Sequence, residues 1–390
     1  MDDLHAWAWR PEPPPAAGTD GPPAGFVLGV KDVIDVAGMP TRCGSPLTDG
    51  APAAADAPAV ARLRAAGAVI VGKTRCTEWA LNDPAPTINP WDPARTPGGS
   101  SAGSAVAVAT GDCTATVDTQ TAGDVVRPAA YNGIVGLKPT AGWAPAEGSR
   151  AVAPSIDTLG VLARCVSDAA AVASAMADAP ARFGVARPVA APRVGLLRDP
   201  FTDQVGDAVR TSLAEVVRAL AAEGAEVNDV STGVDLAAVH AAHRVLTFAE
   251  CATRHLSRHR DHAERYGPRA RELIERGLST PAHVYLEADR VRRDATERLG
   301  ALLEGLDVLL VLATSEPAPA RETTGDSRLQ IPWTLCGLPT LALPAGMAGH
   351  LPLGVQLVAA RDAEARLLGA GVWCERVLGF DATAVRRTRR

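Results

Sequence analysis

The stretch PGGSSAGSAVAVATGDCTATVDTQTAGDVVRPAAYNGIVGLKPT, residues 97–140, contains two turns rich in small residues, each followed by an apolar run. The first turn precedes Ala102–Ala109, and the second, residues 121–123, precedes Asp124 and two valines. Small residues before a helix let the backbone approach a ligand, and the first helical amides remain free to bind it. The pattern predicts a cradle for an oxyanion or a phosphate. A dinucleotide fingerprint is weakly supported, because no strand of that kind precedes the glycines.

Composition places the chain among globular proteins with a large core. It has 390 residues, of which 47% are hydrophobic, and a net charge of −5. This balance argues against nucleic acid and anionic membranes as partners. No apolar run reaches membrane-spanning length, and the N-terminus has no basic segment followed by an apolar one, so we expect a cytoplasmic protein. The seven scattered cysteines form no CxxC pair and are expected to be reduced thiols.

Strand and helix patterns alternate along the chain, which predicts the α/β class. We expect a Pro- and Gly-rich arm at 1–25, a single domain at 26–380 and a basic tail at 381–390. Within the domain, the helical part 236–300 is expected to form the far wall of the pocket, and residues 178–192 suggest a lobe boundary. Three further local predictions are a strand at Val33–Val36, a helix at Thr74–Leu81 and a strand at Thr334–Leu343.

Three side chains are candidates for chemistry from spacing alone. Lys73 follows the apolar run Ala68–Val71 and Gly72, at a strand end where α/β folds place their sites. A lysine that acts as a base must be partly desolvated, and the alternative is a surface lysine that closes a strand. Ser100 and Ser101 are equally compatible with a catalytic role and with helix capping.

Asp124 and the histidines also have simple structural explanations. A carboxylate at a helix N-terminus is a good cap, and pairing with Lys73 would keep both groups charged. Five of the six histidines in the helical part suggest a metal site, but the later three lie among arginines and no cysteine or carboxylate set completes the site. The histidines concerned are His240, His243, His255, His259 and His262. We therefore expect no metal and no cofactor.

Several segments, taken in this order, resemble the amidase signature family, the Ser-cisSer-Lys hydrolases. The resemblance covers about residues 26–377 and is strongest in VKDVIDVAGMPTRCGS (30–45), GAVIVGKTRCTEWA (67–80), NPWDPARTPGGSSAGSAVAVATG (89–111), QTAGDVVRPAAYNGIVGLKPT (120–140), APSIDTLG (153–160) and LPLGVQLVAA (351–360). It implies a large mixed β-sheet covered by helices on both faces.

The resemblance also implies roles for individual residues. Lys73 resembles the catalytic lysine, and Ser100 resembles the bridging serine whose preceding peptide is cis; Ser101 is taken as a further binding residue. The oxyanion hole corresponds to the amides of Thr121, Ala122, Gly123 and Asp124. In the family, a serine at the position of Asp124 attacks the amide carbonyl.

This chain departs from the family pattern at Asp124, and again at Asn132, where the family usually has cysteine. A carboxylate opposes the development of an oxyanion. The favoured hypothesis is an enzyme of bacterial secondary metabolism, repurposed for isomerisation, elimination or cyclisation of a small carbonyl or amide compound. In this hypothesis Asp124 acts as a catalytic acid/base or electrostatic group beside Lys73. The alternatives are a catalytically silent binding partner, and an amidase with residual activity or an inactivated site. We expect a small-molecule substrate and a monomer or homodimer.

Overall fold

The computed structural model describes residues 2–13, 25–178, 191–199, 202, 204–381 and 385. The strands are β1 (Trp7–Trp9), β2 (Val27–Lys31), β3 (Val69–Thr74), β4 (Ala115–Gln120), β5 (Val135–Lys138), β6 (Thr158–Ala163), β7 (Arg193–Leu197), β8 (Glu226–Val230), β9 (Val308–Leu312), β10 (Thr340–Ala348) and β11 (Leu351–Val358). The α-helices are α1 (Pro58–Ala65), α2 (Ala102–Thr110), α3 (Val126–Asn132), α4 (Val166–Met176), α5 (Asp207–Ala222), α6 (Leu236–His262), α7 (Pro268–Leu278), α8 (Ala282–Glu304), α9 (Ile331–Leu335) and α10 (Glu364–Leu378).

The eleven strands in the described ranges form one mixed sheet in the order β1-β3-β2-β4-β6-β5-β10-β11-β9-β7-β8. Strand β2 runs parallel to both β3 and β4, so the carboxyl ends of these three strands meet at one edge. Functional sites in α/β sheets lie characteristically at such an edge. The predicted α/β class with a large mixed sheet is confirmed.

Helices cover the sheet on both faces, and four apolar cores are buried in the described ranges. Two of these cores involve helices α1 to α4. One core contains Val30 and Val117 of the sheet together with apolar residues of α1, α4 and α10. The other contains Val71 and Leu162 together with the small apolar side chains of α2 and α3. The Ala- and Val-rich sequence of α2 suits this position, because a helix buried on all sides must be apolar around its whole circumference.

Three local predictions are wrong over most of their length, because hydrogen bonds or turns elsewhere determine the backbone. Residues 33–36 form no strand and only an isolated bridge from Ile34 to Ser149. Between β3 and the short 3₁₀ turn Glu78–Ala80, Thr77 donates its amide to Ser100 rather than to a helix. Residues 331–335 are helical, and the left-handed Gly337 ends that helix before β10 begins. Of the predicted strand Thr334–Leu343, only residues 340–343 are in a strand.

The remaining differences concern two strands that were not predicted and two predicted segments that lie mostly outside the described residues. Strands β1 and β4 were not predicted, and β1 lies within the predicted arm 1–25, where it pairs with β3 at the sheet edge. Most of the predicted lobe boundary 178–192 and of the tail 381–390 lies outside the described residues. Within the described ranges, the helices are too short or too polar to cross a bilayer.

Candidate active site

Two buried lysines lie on neighbouring strands, and strand register separates them. Lys73 pairs with Val30, whereas Lys31 pairs with Thr74. Because successive side chains along a strand point to opposite faces, Lys31 and Lys73 project from opposite faces of the sheet. Lys31 shares the face of Thr74, whose hydroxyl is hydrogen-bonded to Ser104 of α2 at 2.6 Å. The lysine on the side of the glycine-rich turn is therefore Lys31.

Lys31 is completely buried, and its amine contacts the side chain of Ser100. Its Nζ donates to Ser100 Oγ at 2.7 Å, and to the carbonyl and hydroxyl oxygens of Thr119 at 3.2 and 3.0 Å. The peptide bond between Gly99 and Ser100 is cis. This geometry links a lysine amine to a serine hydroxyl, which is the arrangement needed to pass a proton between them.

Lys73, which the sequence suggested as the catalytic lysine, is not the lysine that contacts Ser100. Its Nζ donates to Thr41 Oγ1 at 2.9 Å and to the Pro40 carbonyl at 3.2 Å, and it lies 3.4 Å from Asp32 Oδ1. Burial lowers the pKa of Lys73 and raises that of Asp32, and the attraction between the two charges opposes both shifts. The pairing with Asp124 that was considered for the case of close approach does not occur, since the carboxylate partner of Lys73 is Asp32.

The carboxylate of Asp124 accepts hydrogen bonds from three backbone amides. Oδ1 accepts from Ser100 N at 3.0 Å, and Oδ2 accepts from Thr121 N and Ala122 N at 3.0 and 2.9 Å. The two turns of the predicted cradle thus meet, and the anion between them is a side chain of the protein itself. The amides of Gly123 and Asp124, which were also expected in the oxyanion hole, are not among these donors.

Electrostatics keep Asp124 ionised. Burial alone would raise its pKa, but the charges of Lys31 and Arg127 and the amides of Ala122 and Thr121 outweigh burial and hold that pKa below its ordinary value. At neutral pH the cradle therefore contains a full negative charge. A carboxylate with a lowered pKa is a poor general base.

Side chains from β4 and from the region of α9 brace the second turn. Gln120 Oε1 accepts from Val125 N and Val126 N, at 2.9 and 3.1 Å, and Thr334 Oγ1 donates to the Ala122 carbonyl at 2.7 Å. Gly123 lies against Gln330, whose Oε1 would be 2.5 Å from an added Cβ. No side chain larger than hydrogen fits at this position without displacing Gln330.

Thr121 is held through its side chain as well as its backbone. Its hydroxyl donates to Asp157 Oδ1 at 2.5 Å, and burial raises the pKa of Asp157 to about 7. Burial also lowers the pKa of His243 to about 4, so this ring is neutral at pH 7. His243 Nε2 lies 2.9 Å from the Thr121 carbonyl, and since a carbonyl only accepts, Nε2 carries the proton.

Polar residues of α3 fix the first turn against the second. Arg127 donates to the Gly99 carbonyl at 2.7 Å, and Asn132 Nδ2 donates to the Pro97 carbonyl at 2.8 Å. Asn132 therefore has a structural contact with the cradle. Gly98 has a φ of +84°, and a Cβ there would lie 2.9 Å from Pro128 Cα, so glycine is required by backbone conformation and by space.

Ser101 is buried at the start of α2, beside a second carboxylate. Burial raises the pKa of Asp118, while the charge of Lys31 and the hydroxyls of Ser104, Thr116 and Ser101 lower it. Ser101 therefore contacts the buried polar layer beneath the cradle. The cavity in front of the cradle is lined by other residues.

That cavity has a volume of about 470 Å³, within the range of small-molecule sites. Thr121, Ala122 and Asp124 form part of its wall. The opposite wall includes one face of α6, with side chains three or four residues apart: His240, His243, Arg244, Thr247 and Phe248. Across the described ranges, no group of three or more His, Cys, Asp or Glu side chains is placed to hold a metal ion.

The structure brings Ser100 and Asp124 together, but it pairs Ser100 with a different lysine from the one that the sequence suggested. Lys31 and Lys73 each follow an apolar strand and each has a small or polar neighbour, so local pattern does not separate them. The contributions of Gln120, Asp157, His243 and Thr334 were also missed. Their contacts join residues up to 214 positions apart, which spacing along the chain does not reveal.

Known proteins resemble this chain over most of its length. A glutamyl-tRNA(Gln) amidotransferase subunit from Chromohalobacter salexigens is 34% identical, and the alignment covers 91% of this chain and 83% of the relative. A crystal structure described as an amidase is 34% identical, with a TM-score of 0.84 and coverage of 91% and 85%. A chain from a vestigial protein complex, linked to the origins of an s-triazine catabolic enzyme, is 29% identical, with a TM-score of 0.88 and coverage of 96% and 92%.

These relatives contradict the hypothesis of a repurposed, non-hydrolytic enzyme. Their names describe amidotransferase subunits and amidases, and none names an isomerase, a lyase or a cyclase. The same names give no support to a silent binding protein or to a role in secondary metabolism. The family model described as Amidase matches residues 11–368. With this match and these relatives, the chain belongs to the amidase family.

Proposed function

We propose that this site is built to hydrolyse the carboxamide of a small molecule, and that Asp124 occupies the position of the family's nucleophilic serine. The observation that carries the proposal is the convergence of three backbone amides and the Lys31–Ser100 pair on the side chain of residue 124. That side chain faces a cavity large enough for a small molecule. In the native chain the carboxylate keeps hydrolysis slow.

A proton path is available to a hydroxyl at position 124. Ser100 lies between this position and Lys31, since its amide contacts the residue 124 side chain and its hydroxyl contacts Lys31 Nζ at 2.7 Å. A serine hydroxyl there would give its proton to Lys31 through Ser100 as its oxygen attacks the carbonyl carbon. The C–N bond then breaks, the nitrogen leaves with the returned proton, and water releases the acyl group.

The Thr121 and Ala122 amides would stabilise the tetrahedral oxyanion of the substrate. In the native chain these donors are already bound to Asp124. A substrate carbonyl oxygen must therefore compete with a permanent negative charge. Removing one oxyanion-hole donor typically costs about 100- to 1000-fold in rate, so the occupation of two donors is a sufficient reason for slow turnover.

The test is the replacement Asp124→Ser, with Asp124→Ala as its matched control. We expect the serine variant to hydrolyse simple aryl amides at least about 100-fold faster than the native chain, measured as release of the arylamine. The alanine variant frees the same amides but has no nucleophile, and should stay at the native rate. Equal rates in the two variants, or no gain with serine, would contradict the proposal.

A further inference from the structure

The charged side chains that line the cavity differ in whether another group of the protein pairs with their charge. Asp124 is bound to three amides, and Asp326 is paired with Arg328, with 3.1 Å between Asp326 Oδ2 and Arg328 Nε. Arg328 also donates to the Gln204 carbonyl. The guanidinium of Arg244 makes no ion pair or hydrogen bond with the part of the chain that the structure describes. Its side chain lines the cavity but is exposed, so its charge is balanced by water rather than by another group of the protein.

The backbone position of Arg244 is fixed by its helix, while its side chain is exposed. His243, the preceding residue of α6, donates to the Thr121 carbonyl, so this part of α6 is anchored to the cradle. His240, Arg244 and Phe248 are spaced four residues apart and share one face of the helix. Because His243 is neutral at pH 7, it adds no positive charge beside Arg244.

We infer that Arg244 binds a carboxylate on the substrate, and that the substrate class is therefore small amides carrying a carboxylate at the end opposite the amide. The inference rests on the proposed function for the identity of the amide end. Asp124 repels an anion from the cradle, whereas the Arg244 guanidinium offers several N–H donors to a carboxylate. The two charges together orient such a molecule with its amide toward Thr121 and Ala122.

The first test measures binding to the native protein by titration calorimetry, so it does not depend on turnover. The ligands are the monoamides of the four-, five- and six-carbon linear dicarboxylic acids, each compared with the neutral linear amide of the same length. We expect at least one acid to bind about tenfold or more tightly than its neutral counterpart, as for a charge-assisted hydrogen bond. In Arg244→Gln, the acid and its neutral counterpart should bind with about equal affinity.

Arg254→Gln is the matched control, because Arg254 is exposed on the same helix and does not line the cavity. This variant should keep the native preference. The inference is overturned if no acid binds better than its neutral counterpart, or if the preference survives in Arg244→Gln.

A second test uses hydrolysis by the Asp124→Ser variant, followed as ammonia release. We expect kcat/KM to favour the acids by about tenfold or more, and the added Arg244→Gln change to bring the ratio near one. Hydrolysis of both series without preference would overturn this inference and leave the proposed function intact. An absence of hydrolysis with both series would overturn the proposed function, while the binding measurement still decides the role of Arg244.

Discussion

At the scale of single residues, one carboxylate determines the state of the site. The Asp124 carboxylate accepts hydrogen bonds from backbone amides of both glycine-rich turns, and the charges of Lys31 and Arg127 favour its ionised form. The carboxylate occupies the cradle in the way that an external anion would. The same hydrogen bonds that make Asp124 a good structural element make it a poor general base, since they favour its charged form.

The assignment of the lysine is also testable at this scale. In the Asp124→Ser background, Lys31→Met removes the group in contact with Ser100 and should lower kcat by about 100-fold or more. Lys73→Met acts on the other face of the sheet, where it leaves the Asp32 carboxylate buried without its cation. We expect it to cost about 3–5 kcal/mol of stability, with kcat per folded molecule within a few-fold of its parent.

The double change Lys73→Met with Asp32→Asn removes both charges of that pair and is the control for folding. It should recover part of the lost stability, seen as a rise in Tm above that of Lys73→Met alone. If kcat falls more with Lys73→Met than with Lys31→Met, the structural assignment of the relay lysine is wrong.

At the scale of elements, the first turn is held between the sheet edge and α2. Gly103 in the first turn of α2 donates its amide to the Arg75 carbonyl, just beyond β3. An added Cβ at Gly103 would lie 2.1 Å from the Ala6 carbonyl oxygen and 2.6 Å from Arg75 N. Both are backbone atoms, so the segment leading into β1 must move if residue 103 has a side chain.

Gly103→Ala should therefore loosen the edge strand β1 (Trp7–Trp9) and destabilise the protein by about 1–3 kcal/mol through overpacking. Hydrogen exchange should be faster at the amides of this strand. Gly300→Ala on α8 is the control, because nothing lies within 4 Å of its added Cβ, and it should stabilise the helix by about 0.5–1 kcal/mol. Unchanged exchange in β1 would show that the close approach is not maintained in solution.

At the scale of the whole molecule, buried titrating groups couple stability to pH. The pKa of His243 is lowered from 6.5 to about 4 by burial, so between these values the unfolded chain binds a proton that the folded chain does not. This residue therefore makes stability rise with pH across that window, by at most about 1.4 kcal/mol per unit. Asp157 acts in the opposite direction, because burial raises its pKa from 3.8 to about 7.

The contribution of His243 is separated by comparing urea unfolding of the native chain and His243→Gln at several pH values from 4 to 6.5. Glutamine keeps a donor for the Thr121 carbonyl but does not titrate. We expect the variant's stability to rise less with pH than that of the native chain. His262→Gln, at an exposed position near the end of the same helix, should leave the slope unchanged; an equal slope in His243→Gln would refute the predicted protonation state.

The sequence predicted the class of fold and the position of the cradle, because both depend on local pattern. The alternation of strand and helix patterns along the chain agrees with the order of the elements in the structure. The choice between Lys31 and Lys73 depends on strand register, and the bracing by Asp157 and His243 depends on long-range contacts. The capture of the Thr121 and Ala122 amides by Asp124 likewise appears only when the two turns are placed together.

The most direct measurement is the intact mass of the Asp124→Ser variant after brief exposure to an activated aryl ester. If Lys31, Ser100 and the freed amides form a complete acylation site, one acyl group should appear, and peptide mapping should locate it on the serine introduced at position 124. The Asp124→Ala variant should remain unmodified. Failure of the folded serine variant to acylate, or acylation of both variants at the same site, would contradict the claim that residue 124 alone limits this site.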